Sequence, residues 1–347
     1  MKKKIAIVGL NYYPEESSTG LYTTEMCDYL QREFDVTVIT GYPYYPEWKI
    51  SDEYINKSGI LEEKRNGVEI YRVKQYVPKK VNPLNRLYHY YDFYKKALDV
   101  AQKNSFDMMQ VILPNIFLLK LAIKMKKLNK TKVIWAHVQD FEIDAGLETL
   151  KGIGKIKILR KFLYYIERKL LEKFDIVSSI SEGMVKKLYE KGVKQENSYF
   201  FPNWSDISKL YKLDKSSYKD ELKLKDKKNV ILLPLQSKEK LNEFLNLADI
   251  HIIPQKKEAK DSFMPSKLLG IMAVEKPVLV LANKESNLYQ VIKDENIGYI
   301  LNETEYNKLS EIIDMISKDE DRIAKGKKAR YYLMKNYIYE DIIEKLI

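Results

Sequence analysis

The chain opens on a continuous apolar run, "KKIAIVGL", the pattern of a strand buried on both faces. "STGLYTTEMCDYLQRE" follows, with Leu21, Met26 and Leu30 near helical spacing, and then a second apolar run, "DVTVITG". Strand, helix and strand within roughly 40 residues make a βαβ unit and hence a parallel sheet. The alternation continues. "VEIYRVK" reads as a strand before a helix over about 85–102, "DMMQVIL" as a strand before another helix, and "TKVIWAHV" as a strand before a long basic helix, Ile156–Phe174. "DIVSSIS", the helix "EGMVKKLYEKG" and "NSYFFPNW" close the series.

The pattern predicts a doubly wound α/β domain over residues 1–203. A polar, irregular linker follows over 204–228, then a smaller α/β domain over 229–330 and a C-terminal helix, 331–347, expected to pack back on the first domain. The second domain should begin with the strand "NVILL" and continue through "DIHIIPQ", the loop "KKEAKDSFM", the helix "PSKLLGIMAVE" and the strands "PVLVLA" and "IGYIL". In "DKKNVILLPLQSKEK", Pro234 cuts the apolar run short, and Ser237–Lys240 looks like the start of a helix. Val230–Leu233 is expected to form a single strand of a reduced sheet.

Composition narrows the class. With 45% apolar and 31% charged residues the chain can fill real cores. Its net charge of +11 fits either a solvated lysine-rich surface or attraction to anionic membrane or phosphorylated ligands. Nucleic-acid binding ranks below both, since no helix-turn-helix or zinc-knuckle spacing occurs. A single cysteine, Cys27, excludes an internal disulfide and a cysteine metal cage. No apolar run reaches the ~18 residues a membrane span needs, so a cytoplasmic protein is expected.

Ligands of such sheets bind at the carboxyl ends of the strands. The loop after the first strand is "NYYPEESSTGLYTTE", without the Gly-x-Gly-x-x-Gly of a dinucleotide site, so a Rossmann dehydrogenase is disfavoured. It does place Thr19 and Gly20 at a helix N-terminus, where free N–H groups suit a phosphate or are simply capped. After the second strand, "GYPYYPEW" displays Tyr44, Tyr45 and Trp48, either as stacking surfaces for sugar rings or lipid head groups or as an aromatic plug beneath the loop. After the fifth parallel run comes "HVQDFEIDAG", which sets His137 at a strand end with Asp140 just beyond. A metal site there lacks a second histidine, because His89 and His251 lie elsewhere. In "MPSKLLGIMAVEKPV", Pro265 suits a first helical turn, and Ser266 and Lys267 follow where the helix end favours an anion. Residues 151–173 hold eight Lys or Arg against two Glu. With the stripe Leu159, Phe162, Leu163, Ile166, Leu170, the helix Ile156–Phe174 reads as a face for anionic lipid or as ordinary core with solvated charge.

Taken in order, "NYYPEESSTGLYTTEM", "GYPYYPEW", "HVQDFEIDAG", "FDIVSSISEGMVKKL", "FPNWSDI" and "MPSKLLGIMAVEKPV" closely resemble GT-B glycosyltransferases of family 4, in the WcaI- or WbuB-like subgroup of colanic acid, capsule and O-antigen synthesis. The resemblance covers nearly the whole chain. It implies two facing Rossmann-like domains, the N-terminal for the acceptor and the C-terminal for the donor. It also implies retaining transfer from a nucleotide-diphosphate sugar to a lipid-linked saccharide, without a metal or other cofactor, on the inner face of the cell membrane. Gly20 then matches the glycine loop near the donor phosphates, and His137 the histidine facing the transferred sugar. Ser266 and Lys267 lie in the donor segment, with Tyr44, Tyr45, Trp48 and Asp140 on the acceptor side.

Two departures stand out. The family's acidic pair eight residues apart falls here near Asp261 and on Gly270. The donor domain, moreover, passes from "NVIL" straight to "LPLQSKEK". At ~30 residues per βαβ unit, material on the order of 60 residues is missing between them. The alternative function is therefore a non-catalytic, internally deleted relative that binds membrane or a partner.

Overall fold

The computed structural model describes residues 2–15, 18–141, 156–213, 218, 231–234, 236–255, 265–302 and 304–344. The chain divides into two compact units, Met1–Phe201 and Pro202–Ile347.

The first unit holds strands β1 (Lys4–Val8), β2 (Asp35–Gly41), β3 (Ile60–Arg65), β4 (Val68–Val73), β5 (Phe106–Leu113), β6 (Thr131–Val138), β7 (Ile176–Ser179) and β8 (Ser198–Phe200). They form one sheet in the order β3-β4-β2-β1-β5-β6-β7-β8. All neighbours are parallel except β3 and β4. The centre is as apolar as its sequence requires: Ile7 is fully buried between Val38 on β2 and Gln110 on β5. Helices α1 (Ser18–Leu30), α2 (Pro83–Ala101), α3 (Phe117–Lys127), α4 (Ile156–Leu171) and α5 (Glu182–Glu190) make the crossovers. α2 starts where Asn82 accepts the Asn85 N–H at 2.8 Å, with Pro83 in the first turn. Ser181 caps α5 in the same way, through the Met184 N–H at 3.1 Å.

The strand β3 was not legible as a strand, because "ILEEKR" is polar and alternates between exposed and half-buried positions. It pairs antiparallel with β4 through the two-residue turn Asn66-Gly67, both at positive φ, as a type I′ hairpin demands. Arg72 of β4 is 1% exposed. Its Nε donates to Glu63 of β3 at 2.6 Å and its guanidinium to the Tyr13 carbonyl at 2.6 Å, so the edge hairpin is tied to the loop after β1.

The second unit has, among the described residues, three parallel strands: β9 (His251–Pro254), β10 (Val278–Ala282) and β11 (Tyr299–Asn302), in the order β11-β10-β9. Helices α6 (Leu241–Leu247), α7 (Ser266–Ala273), α8 (Asn287–Asp294), α9 (Leu309–Lys318), α10 (Arg322–Asn336) and α11 (Tyr339–Glu344) accompany them. The expected strand Val230–Leu233 is corrected. Ile231–Pro234 lie in no sheet, with Leu232 92% exposed, and Val230 falls outside the described residues. A short apolar run ended by proline, which cannot donate to a ladder, stays in a sheet only when neighbours cover it, and nothing covers Leu232.

Two boundaries also differ from the sequence reading. The start of the expected linker is packed structure: Asn246 of α6 donates to the Tyr211 carbonyl at 3.0 Å and accepts the Leu213 N–H at 2.9 Å. The C-terminal segment is not a helix of its own, because α10 runs through residues 330 and 331. The tail beyond it joins residues of the same unit, with the Ser205 N–H on the Tyr337 carbonyl at 3.1 Å and Trp204 5.4 Å from Tyr339.

Gly326 of α10 lies against the C-terminal end of α7, where a Cβ would stand 2.1 Å from the Glu275 carbonyl oxygen. Ala329 and Leu333, on the same helix, are fully buried. Gly326→Ala is expected to destabilise the second unit by about 1–3 kcal/mol through overpacking, although helix propensity alone would favour alanine by about 1 kcal/mol. Urea unfolding checks this, and a midpoint raised by the substitution would show that the two helices can separate freely.

Candidate active site

The carboxyl ends of β1, β2, β5, β6 and β7 share one edge of the sheet, because these strands are parallel. The loop after β1 is organised around Glu15, which is 6% exposed. One oxygen, Oε1, accepts the backbone N–H groups of Tyr44 and Tyr45, each at 2.7 Å. Oε2 accepts from Asn11 Nδ2 at 2.9 Å. The Asn11 amide oxygen in turn accepts the Thr19 hydroxyl at 3.3 Å. One carboxylate thus joins the loop after β1 to the loop after β2. Burial pushes the Glu15 carboxyl above its ordinary range, and the converging N–H groups oppose that shift.

Gly20 is required here by close approach, since a Cβ would lie 2.6 Å from the Glu15 carbonyl oxygen. It stands in the first turn of α1, beside Thr19. Tyr44 is not displayed. It is 5% exposed and packs edge-on against Trp48 and His89, with centroids 5.4 and 4.9 Å away. Its place is the plug beneath the loop. Tyr45 is the more exposed ring, at 37%. Trp48 is half-buried with φ 53° and packs against the core. His89 is fully buried, its Nδ1 on the Tyr76 carbonyl and its Nε2 without a hydrogen-bond partner.

His137 stands near the carboxyl end of β6 and is 3% exposed. Its Nδ1 lies 2.9 Å from the Ser178 hydroxyl of β7, which also accepts the Trp135 indole N–H at 2.7 Å. Gln139 Nε2 lies 2.9 Å from His137 Nε2. With that amide N–H donating, the neutral ring carries its proton on Nδ1 and donates to Ser178. Phe201 packs edge-on at 5.2 Å. Burial depresses the imidazole pKa to about 3, so the ring is neutral at physiological pH and acts as a hydrogen-bonding group, not as a cation. Asp140 follows on the exposed loop, and Phe141 turns inward under the Lys191 ammonium, 4.7 Å away.

In the second unit Ser266 and Lys267 are exposed in the first turn of α7, which has no side-chain cap. Asp261 lies outside the described residues. Gly270 is buried, with Leu245 of α6 where its side chain would be. Glu15, Gln139 and Ser178 were missed by the sequence reading. The signal for Glu15 was an acid inside a loop already marked as functional. Ser178 could be found only from the register that puts His137 opposite it. Among the described residues no three His, Cys, Asp or Glu side chains group as metal ligands. A groove of about 540 Å³ opens between α2 and the β3–β4 edge, beside Tyr76, Tyr88 and Asp92 and away from His137.

Residues 199–333 match the family described as glycosyl transferases group 1. WcaI of Escherichia coli (strain K12), named as a colanic acid biosynthesis glycosyl transferase, is 29% identical over 350 positions, covering 83% of this chain and 85% of that protein. Solved structures of the same fold include sucrose-phosphate synthase from Thermosynechococcus elongatus, with TM-score 0.72 and 11% identity over 99% of this chain and 97% of that one. Anabaena HepE in complex with UDP-glucose gives 0.68 and 10% over 99% and 98%. WaaG, a glycosyltransferase involved in lipopolysaccharide biosynthesis, gives 0.66 and 14% over 99% and 98%. The fold is GT-B, and the chain is a glycosyltransferase carrying the group 1 domain.

The alignment to WcaI spans 350 positions but takes in 83% of a 347-residue chain, about 288 residues. About 60 positions of that relative therefore have no counterpart here, the size of the shortfall anticipated from two missing βαβ units.

Two measurements test the site. Between pH ~6.5, the ordinary histidine value, and about 3, the unfolded chain binds a proton that native His137 refuses. Stability is therefore full above that window and falls as pH drops through it. His89 and His251, also depressed by burial, act in the same direction. Urea midpoints at neutral and mildly acid pH should converge in a His137→Gln variant relative to wild type. Glu15→Ala removes the acceptor of two backbone N–H groups and of Asn11 Nδ2 in a buried loop and should lower stability by about 2–4 kcal/mol; a loss within the error of urea unfolding would mean that the two loops hold independently.

Proposed function

We propose that the chain transfers a sugar, with retention of configuration, from a nucleotide-diphosphate sugar to a lipid-linked saccharide. The setting is synthesis of a surface polysaccharide such as colanic acid, capsule or O-antigen, at the cytoplasmic face of the membrane and without a metal ion. The observation that carries this reading is the buried, neutral His137 at the strand edge next to the Glu15-linked loops, in a chain similar to WcaI. As the nucleotide diphosphate departs, negative charge develops on its phosphates. Such charge calls for helix ends and cations, and the residues assigned to it by the resemblance are Thr19 and Gly20 in the first turn of α1 and, on the second unit, Ser266 and Lys267 in the first turn of α7. Asp261 belongs to the same donor segment. His137 offers one hydrogen bond to a hydroxyl of the transferred sugar once the Gln139 amide swings aside. Tyr45, Trp48 and Asp140 take the acceptor, with Tyr44 supporting Trp48 from beneath. α4 meets anionic lipid.

A specific observation favours a second reading. The donor-side sheet shows three strands among the described residues, and the segment after the linker lies in none of them. A chain so reduced could keep acceptor binding and have lost transfer, acting as a membrane- or partner-binding module. Thermal-shift screening with UDP- and GDP-sugars, followed by transfer to lipid-linked acceptors, separates the two. The transfer reading expects stabilisation by at least one nucleotide sugar and a fall of about a hundredfold or more in kcat for His137→Ala. A folded chain that no nucleotide sugar stabilises and that transfers nothing belongs to the second reading.

A further inference from the structure

The groove between α2 and the β3–β4 edge lies outside the site described above. Tyr88, Asp92, Lys96 and Asp99 follow one another along α2 at helical spacing and so form one stripe of the helix. The segment Val73, Lys74, Gln75, Tyr76, leaving β4, makes the opposite wall. At about 540 Å³ the groove has the size of a small-ligand site, ~300–1,000 Å³. Hydrogen bonds between the two walls hold it in shape. Asp92 Oδ2 accepts the Tyr76 N–H at 2.6 Å and the Lys96 ammonium at 2.7 Å. Lys96 also donates to the Lys74 carbonyl at 2.8 Å, and His89 Nδ1 donates to the Tyr76 carbonyl.

What the groove presents is two rings and two carboxylates. Tyr76 and Tyr88 stand edge-on with centroids 5.0 Å apart and are 38% and 54% exposed. Among the described residues their hydroxyls make no hydrogen bond. Both bonds to Asp92 fall on Oδ2, which leaves Oδ1 to accept from a ligand. Asp99 is exposed and, among the described residues, makes no ion pair. Asp92 and Asp99 balance Lys74 and Lys96, although the chain as a whole carries +11. A phosphate or a nucleic acid calls for an excess of cations, and this groove has none. An uncharged sugar fits both features. Its C–H face lies on the negative face of an aromatic ring. Its hydroxyls donate to carboxylates and accept from ammonium and phenol groups.

His89 connects this groove to the loop after β2. The same ring that bonds to Tyr76 packs against Tyr44 at 4.9 Å and Trp48 at 5.6 Å. The groove is nevertheless remote from His137. β4 and β6 are separated by β2, β1 and β5, four steps of ~4.8 Å, or roughly 20 Å in all. A single sugar cannot touch both places; a chain of several can. We propose that the groove between α2 and the β3–β4 edge is a separate subsite for uncharged sugars of the acceptor, other than the sugar that receives the transfer, with Tyr76 and Tyr88 as stacking rings and Asp92 and Asp99 as hydroxyl acceptors. The proposal rests on the saccharide acceptor inferred above and narrows it to an oligosaccharide.

The test is binding of the full chain to immobilised, lipid-free bacterial surface glycans, uncharged and graded from single sugars to hexasaccharides, beside phosphorylated sugars and UMP. Longer neutral glycans should be retained, and single sugars should bind about tenfold or more weakly. Tyr88→Ala and Asp99→Ala should each lower retention about tenfold. Both side chains are exposed, so unchanged thermal unfolding is expected and reports that the fold is kept. Wild type that retains no neutral oligosaccharide overturns the proposal, as does undiminished retention by either variant. Retention confined to phosphorylated sugars or UMP assigns the groove to another ligand and also overturns it. Transfer to an acceptor carrying a single sugar is read separately. Present without glycan retention, it leaves the transferase reading standing while the subsite falls. Absent, with retention that both variants weaken, it removes the transferase reading and leaves the groove as a saccharide site.

Discussion

Parallel strands cannot be joined by a tight turn. Each connection must leave one end of the sheet and return to the other, and this constraint organises the first unit. It buries the strands of β1, β2 and β5 on both faces, which is why their sequences are nearly unbroken apolar runs. It also sends every returning loop out at one edge. The Glu15 carboxylate uses that convergence: two loops distant in sequence end with their peptide groups on the same oxygen. His137 and Ser178 are brought together likewise, by strands that lie side by side although 41 residues separate them.

Most of this architecture is legible in the sequence because apolar periodicity and crossover order are local signals. The Asn66-Gly67 turn was equally local, but β3 hid behind its polar residues. The site was legible at the level of loops and not of contacts. "GYPYYPEW" pointed to an aromatic cluster, yet which ring faces outward follows from packing: Tyr44 fits beneath Trp48 and His89, leaving Tyr45 outside. His137 could be picked out by its place at a strand end. Its neutrality depends on burial that only the packed sheet reveals.

The second unit shows the opposite relation. Its helices and, among the described residues, its three strands follow the apolar pattern, and Gly326 sits where the backbone just beyond α7 comes too close for a side chain. The segment Ile231–Pro234 carries strand-like residues without a sheet to receive them. Local preference for a strand is realised only when a neighbouring edge is available, and the missing positions relative to WcaI are the natural place to look for that edge.

The two borders of the eight-stranded sheet are both poor templates for further pairing. One border is β3, whose Glu62, Glu63, Lys64 and Arg65 put charge along most of its length, with Glu63 held by Arg72 and Arg65 by Asp28. The other is β8, three residues long. Charged or very short edge strands resist edge-to-edge joining of one sheet with another. A protein this rich in exposed tyrosine and leucine thus restricts its stickiness to helix surfaces, where contact is reversible, and withholds it from the backbone, where contact would propagate into fibres.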